Sequence, residues 1–204
     1  MTSPMMNVPF VTDRRKRVEY SSDMDCTKCA TKGCRDGAPC TDRSARYASG
    51  YDQAEVSAYT GAASALVDNG GAGTLNRLEE IVEYCRIRGY SKLGVAYCYG
   101  MEKEAVALRG CLSKAGFALE MVSCTVDGIK ESRLDPTKTN DSVSCNPLGQ
   151  AHALNRADVP LTLLMGLCLG HDILIQKHLE MDFSTFVVKD RVLGHNPILA
   201  LAGA

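Results

Sequence analysis

"PLTLLMGLCLGHD" (Pro160–Asp172) decides the fold. An apolar run of strand character leads into Cys168, and a glycine, a histidine and an aspartate follow where a helix begins. The same device stands earlier, in "KLGVAYCYGMEKEA" (Lys92–Ala105), where another apolar run ends in Cys98 and opens into an acidic helix start. Strand, cysteine, glycine, helix, repeated along one chain, reads as a parallel sheet crossed by helices.

Outward from these two units the alternation continues. "MEKEAVALRGCLSKAG" (Met101–Gly116) has helical spacing, and "FALEMVSC" (Phe117–Cys124) is the next strand. A polar stretch from Thr125 to Ser144 follows, too long for a passive connection. "NPLGQAHALNRA" (Asn146–Ala157) opens a helix on proline. After Cys168, "HDILIQKHLE" (His171–Glu180) reads as a helix and "STFVVKD" (Ser184–Asp190) as a fourth strand, with a short closing helix in "NPILALA". Before the first strand, "QAEVSAYTGAASALVDN" (Gln53–Asn69) and "TLNRLEEIVEYCRIRGY" (Thr74–Tyr90) read as helices, the second capped by Thr74 and closed by Gly89. The expected fold is a small Rossmann-like or flavodoxin-like α/β domain over 51–204, its parallel sheet of about four strands flanked by helices. Residues 1–50 form an irregular, cysteine-rich arm.

Composition narrows the function classes. The chain has 204 residues, 45% hydrophobic and 23% charged, with a formal net charge of −1. That balance gives no reason to expect nucleic acid or an anionic membrane as partner. The "DRRKR" run (Asp13–Arg17) reads as a solvated arm or a docking contact. No apolar run reaches the ~18–20 residues that span a bilayer. The opening "MTSPMMNVPFVTDRRKR" carries its charges after its apolar part, the reverse of a secretory signal. A cytoplasmic location is expected. In that compartment ten cysteines favour metal ligation, redox chemistry or burial over disulfides.

The cysteines fall into groups. Cys98, Cys124 and Cys168 each end an expected strand, and Cys145 precedes a helix whose N-terminus points back to the same edge. Ligands of open α/β sheets bind outside the carboxyl ends of the strands. One such thiol alone reads best as core; four in register read as ligands, favoured as thiolates by helix N-termini. Gly100 and Gly170 would let backbone approach a bulky ligand. His171, Lys189 and Asp190 stand near this edge as candidates for proton or substrate handling. His171 reads equally as a plain helix start, and Lys189 with Asp190 as a pair that only fixes the loop. Cys85 and Cys111 fall mid-helix and read as core or surface residues.

The arm holds "CTKCATKGCRDGAPC", that is Cys26-x2-Cys29-x4-Cys34-x5-Cys40. Four thiols in so short a loop wrap a 4Fe–4S cluster better than they build the two separated knuckles of a zinc site. Zinc and unmetallated thiols remain the alternatives. There is no G-x-G-x-x-G after the first strand, no Walker loop and no Cys-x5-Arg loop, so nucleotide and phosphate-ester chemistry lose ground.

"SCNPLGQAHALN", "GLCLGHD" and "VVKDRVLGHNP" resemble, over nearly the whole chain, a family of small prokaryotic cysteine-rich proteins to which metal binding is ascribed. That resemblance implies a metal and no particular reaction. More distantly, "CTKCATKGCR" is similar to the cluster-binding segment of nickel carbon monoxide dehydrogenases. Those enzymes and the hybrid-cluster proteins hang a second cluster from strand-end cysteines. The likeness implies an electron-relay cluster on Cys26, Cys29, Cys34 and Cys40 and a second one on Cys98, Cys124, Cys145 and Cys168. The x5 spacing before Cys40 departs from the dehydrogenase pattern, and carbon monoxide chemistry does not transfer to so small a chain.

The expectation is an iron–sulfur redox protein of an anaerobe, an oxidoreductase if it is an enzyme. It would pass electrons to a small-molecule substrate or a redox partner protein. A zinc- or metal-binding carrier or regulatory module is the alternative, and persulfide transfer through Cys168 a third reading. The arm would permit two chains to share a cluster, which keeps a homodimer open.

Overall fold

A computed structural model describes residues 25–41, 44–139 and 141–202; the basic run Asp13–Arg17 lies outside them. The chain separates into two compact units, Met1–Gln53 and Ala54–Ala204. In the first, 3-10 turns at Cys26–Lys28 and Gly33–Asp36 precede a helix, α1 (Ser44–Gly50). That helix corrects the expectation of irregular chain throughout 1–50. Its alanines are good helix formers, and the motif residues before it are not.

The second unit opens with α2 (Ala54–Val67) and α3 (Arg77–Ile87). Asn76, not Thr74, caps α3: its side chain accepts from the N–H groups of Leu78 and Glu79, while the Glu79 carboxylate takes the Asn76 N–H at 2.8 Å. This reciprocal box satisfies donors at the helix start, which Thr74, two residues upstream, does not reach. Its hydroxyl goes to the Gly71 carbonyl instead. Gly89, at φ +68, turns the chain out of the helix as expected.

Then come β1 (Lys92–Tyr97), α4 (Glu102–Lys114), β2 (Ala118–Ser123), α5 (Glu131–Leu134), α6 (Pro147–Arg156), β3 (Leu161–Met165), α7 (Leu169–Gln176) and β4 (Asp182–Val187). The four strands form one sheet in the order β2-β1-β3-β4, every pair parallel. This is the flavodoxin-like arrangement cut to four strands.

Alternation along the strands sorts the core into two layers. Leu93 and Val95 of β1 and Leu161, Leu163 and Met165 of β3 pack with Ile81 and Cys85 of α3 and Leu108 and Leu112 of α4. Ala96 and Leu164 face the other way, onto Ala151 and Leu154 of α6 and Ile175 of α7. Gly94 also faces α6. A Cβ there would lie 2.8 Å from Leu154 and 2.6 Å from the Thr162 hydroxyl, so only glycine lets helix and strand come this close.

Helix α7 is shorter than the expected His171–Glu180 and begins earlier, with Cys168 as its N-cap. The Asn155 side chain takes the His178 carbonyl and the Glu180 N–H, drawing the chain out of the helix toward β4. Among the described residues no helix is long and apolar enough to cross a membrane.

Candidate functional site

The strand order places the topological switch between β1 and β3. From β1 the chain leaves to one side for β2, then crosses back over β1 to β3 and β4. In open sheets of this kind the ligand crevice lies at the carboxyl ends of the two strands flanking that switch. Those ends carry Cys98 and Cys168.

Each of the four thiols is positioned by a backbone bond at this edge. Cys98 N–H reaches the Met165 carbonyl at 3.1 Å, tying the end of β1 to the end of β3. Cys124 N–H takes the Tyr97 carbonyl, extending the β1–β2 ladder by one residue. Asn146 N–H reaches back to the Cys124 carbonyl at 2.6 Å and its side chain to the Val126 carbonyl, so Cys145 is delivered beside Cys124. Cys168 caps α7. Behind them, the fully buried Gln150 donates to the carbonyls of Tyr97 and Val122, clamping the ends of β1 and β2.

The sulfurs of Cys145, Cys124 and Cys98 meet as a chain of contacts, and that of Cys168 is related to them through the cations Lys189 and Arg191. The Cys145 thiol donates to Cys124 at 3.5 Å, and Cys124 in turn lies in hydrogen-bond contact with Cys98. The Lys189 ammonium is 2.7 Å from Cys98, and Arg191 approaches Cys168 at 3.9 Å. The Tyr99 N–H points at the Cys124 sulfur and the Gly100 N–H at Cys98. Among the described residues no three His, Cys, Asp or Glu side chains close around one point as ligands of a single ion do.

These contacts polarise the thiols in opposite directions. Burial is the largest influence on Cys98 and raises it, but the Lys189 ammonium, the Gly100 N–H and the Cys124 thiol together outweigh burial and hold it below the usual thiol range. Burial also leads at Cys124, where it pushes the thiol up to about 12. Burial works against the charge on Lys189, yet the sulfurs of Cys98 and Cys168 hold its ammonium in the charged form above the usual range. Ionised Cys98 therefore stabilises the fold above the ordinary thiol pKa, and that contribution fades as pH falls through its lowered value. In metal-free, reduced protein, alkylation is expected to reach Cys98 at a distinctly lower pH than Cys124, as read by peptide mass against pH. Equal onset for both would contradict this polarisation.

The arm, described by itself, brings its four thiols within electrostatic reach of one another. Cys34 lies in hydrogen-bond contact with Cys40 and, ahead of burial, raises it; Cys29 and Cys26 add to the effect. Cys29 is shifted the other way, chiefly by the Lys32 N–H and then by the Thr31 hydroxyl and N–H. The left-handed Lys32 (φ 48) and Gly37 (φ 84) bend the loop between the cysteines. All four are exposed.

The remaining candidates separate. Lys189 joins the sulfur chain, whereas the Asp190 carboxylate caps the N–H groups of Val192 and Leu193 at 3.0 and 2.9 Å. Gly100 lines the cavity against Cys98, while a Cβ at Gly170 would meet nothing within 4 Å. His171 sits half-buried in the first turn of α7, and its side chain makes no hydrogen bond among the described residues. Cys85 is fully buried in α3, which pushes its thiol up to about 11, and Cys111 is exposed on α4. Arg191, Gln150 and the amides of Tyr99 and Gly100 were not singled out from sequence. Arg191 alone left a signal there, as the third charge in "VVKDR" after a strand end.

Both groups offer cysteine sulfur, and a backbone N–H bears on sulfur in each. No solved structure matches the chain. It is similar to "Uncharacterized protein MJ0455" of Methanocaldococcus jannaschii, 40% identical over 183 residues that cover 85% of this chain and 91% of that protein. A family match over residues 38–186 takes in all four edge cysteines and, from the arm, Cys40. By that match the chain belongs to the family described as Protein of unknown function (DUF1847).

Proposed function

We propose that the chain is an iron–sulfur redox protein. Cys26, Cys29, Cys34 and Cys40 would hold a 4Fe–4S cluster, and Cys98, Cys124, Cys145 and Cys168 a second metal or Fe–S cluster. The observation that carries this reading is the sulfur chain at the switch point, built from separate segments of the fold. Thiols strung out in a row suit a ligand several atoms wide better than a single ion. When bound, such clusters exchange electrons, here with a small substrate or a partner protein.

The chain's own residues have definite parts in this reading. Lys189 and Arg191 offset the negative charge of the thiolates, and the Tyr99 and Gly100 N–H groups fix where that charge resides. Buried Gln150 holds the strand ends that carry Cys98 and Cys124 at a fixed separation.

Anaerobic purification tests the reading. A brown protein with broad visible absorption, iron and acid-labile sulfide is the expected result. A colourless protein with stoichiometric zinc would overturn it.

One observation favours a second reading. With Lys189 at 2.7 Å, Cys98 rather than Cys168 is the thiolate suited to carry sulfur. Its sulfur would attack the outer sulfur of a donor persulfide, forming a new S–S bond while the donor leaves as a thiolate. Persulfide labelling confined to Cys98 in metal-free, active protein would select this reading over the first.

A further inference from the structure

A cavity of about 240 Å³ opens beside Cys98, with Tyr99, Gly100, Lys189, Arg191 and His195 around it. Its size falls just below the ~300–1,000 Å³ of drug-sized sites, so a small molecule fits and a nucleotide does not. Its charge is one-sided. Lys189 and Arg191 both line it, and no lining residue is acidic. The one carboxylate between them in sequence, Asp190, is engaged by the loop amides of Val192 and Leu193.

The cations have donors to spare. Arg191 is exposed and, among the described residues, makes a single long hydrogen-bond contact, 3.9 Å to Cys168, from a fork that carries five N–H donors. Lys189 uses one of its three donors on Cys98. The His195 Nδ1 lies 3.0 Å from the Asp190 N–H and 3.1 Å from the Val188 carbonyl, so Nε2 is the ring nitrogen left for a ligand. His195 holds a left-handed φ of 65°, uncommon for a residue with a side chain.

We infer that this cavity binds a small oxygen-bearing anion, a carboxylate or an inorganic oxyanion, between the Arg191 fork and the Cys98 sulfur. The inference rests on the carboxyl edge being the reactive centre, and on no particular metal there. Arginine's planar fork matches two anionic oxygens at once, and lysine adds a point charge beside it. The site would present an anionic substrate to whatever the edge thiols hold.

The test uses metal-free, reduced full-length protein and follows Cys98 by peptide mass. Alkylation by iodoacetate, an anion, is compared with that by neutral iodoacetamide, with glutathione as reference thiol. The iodoacetate-to-iodoacetamide rate ratio at Cys98 is expected to exceed glutathione's about tenfold, the low end of electrostatic focusing in a charged cleft. Arg191→Gln, at an exposed position, should bring it down toward the glutathione value. Acetate or sulfate, added separately, should slow iodoacetamide at Cys98, and the better protector tells a carboxylate from an inorganic oxyanion. A ratio equal to glutathione's, a ratio indifferent to Arg191→Gln, no alkylation at all, or no protection by either anion would each overturn the site. Iron and sulfide contents judge the cluster reading separately, since these rates are measured without metal.

Discussion

Replacing Cys98 by serine is expected, on the proposed iron–sulfur reading, to empty the sheet edge of metal and leave the arm's in place. Iron and acid-labile sulfide should fall to roughly half in a protein that carries two clusters. Cys98 is the link between Cys124 and Lys189, so its loss separates the Cys124 and Cys145 sulfurs from Lys189. Serine's hydroxyl does not ionise near neutral pH and is a hard donor where soft sulfur is needed. Cys98 is only 4% exposed, and exchange of sulfur for oxygen changes little in volume, so the circular dichroism should stay that of the parent. Unchanged iron in the folded variant would remove Cys98 from the ligand set. Loss of all iron would show that the two sites are not independent.

The largest expected loss of stability comes from Gly94→Val. A Cβ at this position would meet Thr162, Leu154 and Val159 at 2.6, 2.8 and 3.0 Å, and valine adds two further methyls. The neighbours are branched, buried side chains on a central strand, its covering helix and the turn that joins them, and they have nowhere to retreat. Overpacking of this kind costs about 3 kcal/mol, a large share of the ~5–15 kcal/mol by which domains are stable. Urea unfolding should show the fall in midpoint. Thr162→Val serves as the contrasting variant. The Thr162 hydroxyl is buried with no hydrogen-bond partner among the described residues, so a methyl in its place should be neutral or stabilising by up to about 1 kcal/mol. Equal losses in the two variants would contradict this picture of the β1–α6 contact.

The architecture was legible because each strand of the sheet is a short apolar run ended by a cysteine or a charged turn. Alternating burial follows from Leu93, Val95, Leu163 and Met165 on one side and Ala96 and Leu164 on the other. Placement of the edge thiols followed from the same rule, since strand ends of a parallel sheet share an edge. What the residues hid was three-dimensional. Lys189 and Asp190 are neighbours in the chain and look like one ion pair at the end of an expected strand, yet β4 stops at Val187 and the loop beyond sends one to the sulfurs and the other back onto its own amides. Thr74 and Asn76 are both good caps, and only the reciprocal reach of Glu79 decides between them. His171 and Gly170 matched the expected pattern by position, but the first turn of α7 gives neither a contact with sulfur. Arg191 acts from an exposed loop, where no periodicity marks a residue.

The polar stretch Thr125–Ser144 is pinned at its base. Lys130 bridges to Val143 across an antiparallel pair, and Ser144 N–H closes on the Ile129 carbonyl at 2.7 Å. Because its two ends are stitched together, the Cys124 and Cys145 sulfurs keep a fixed separation, although twenty residues of chain lie between them. The tip beyond the stitch sets no part of that separation. Loop-closure entropy charges only about 0.6 kcal/mol for each doubling of length. The segment between Lys130 and Val143 is thus the place where this chain can grow, shrink or accept a new recognition element while its pair of sulfurs keeps the same spacing.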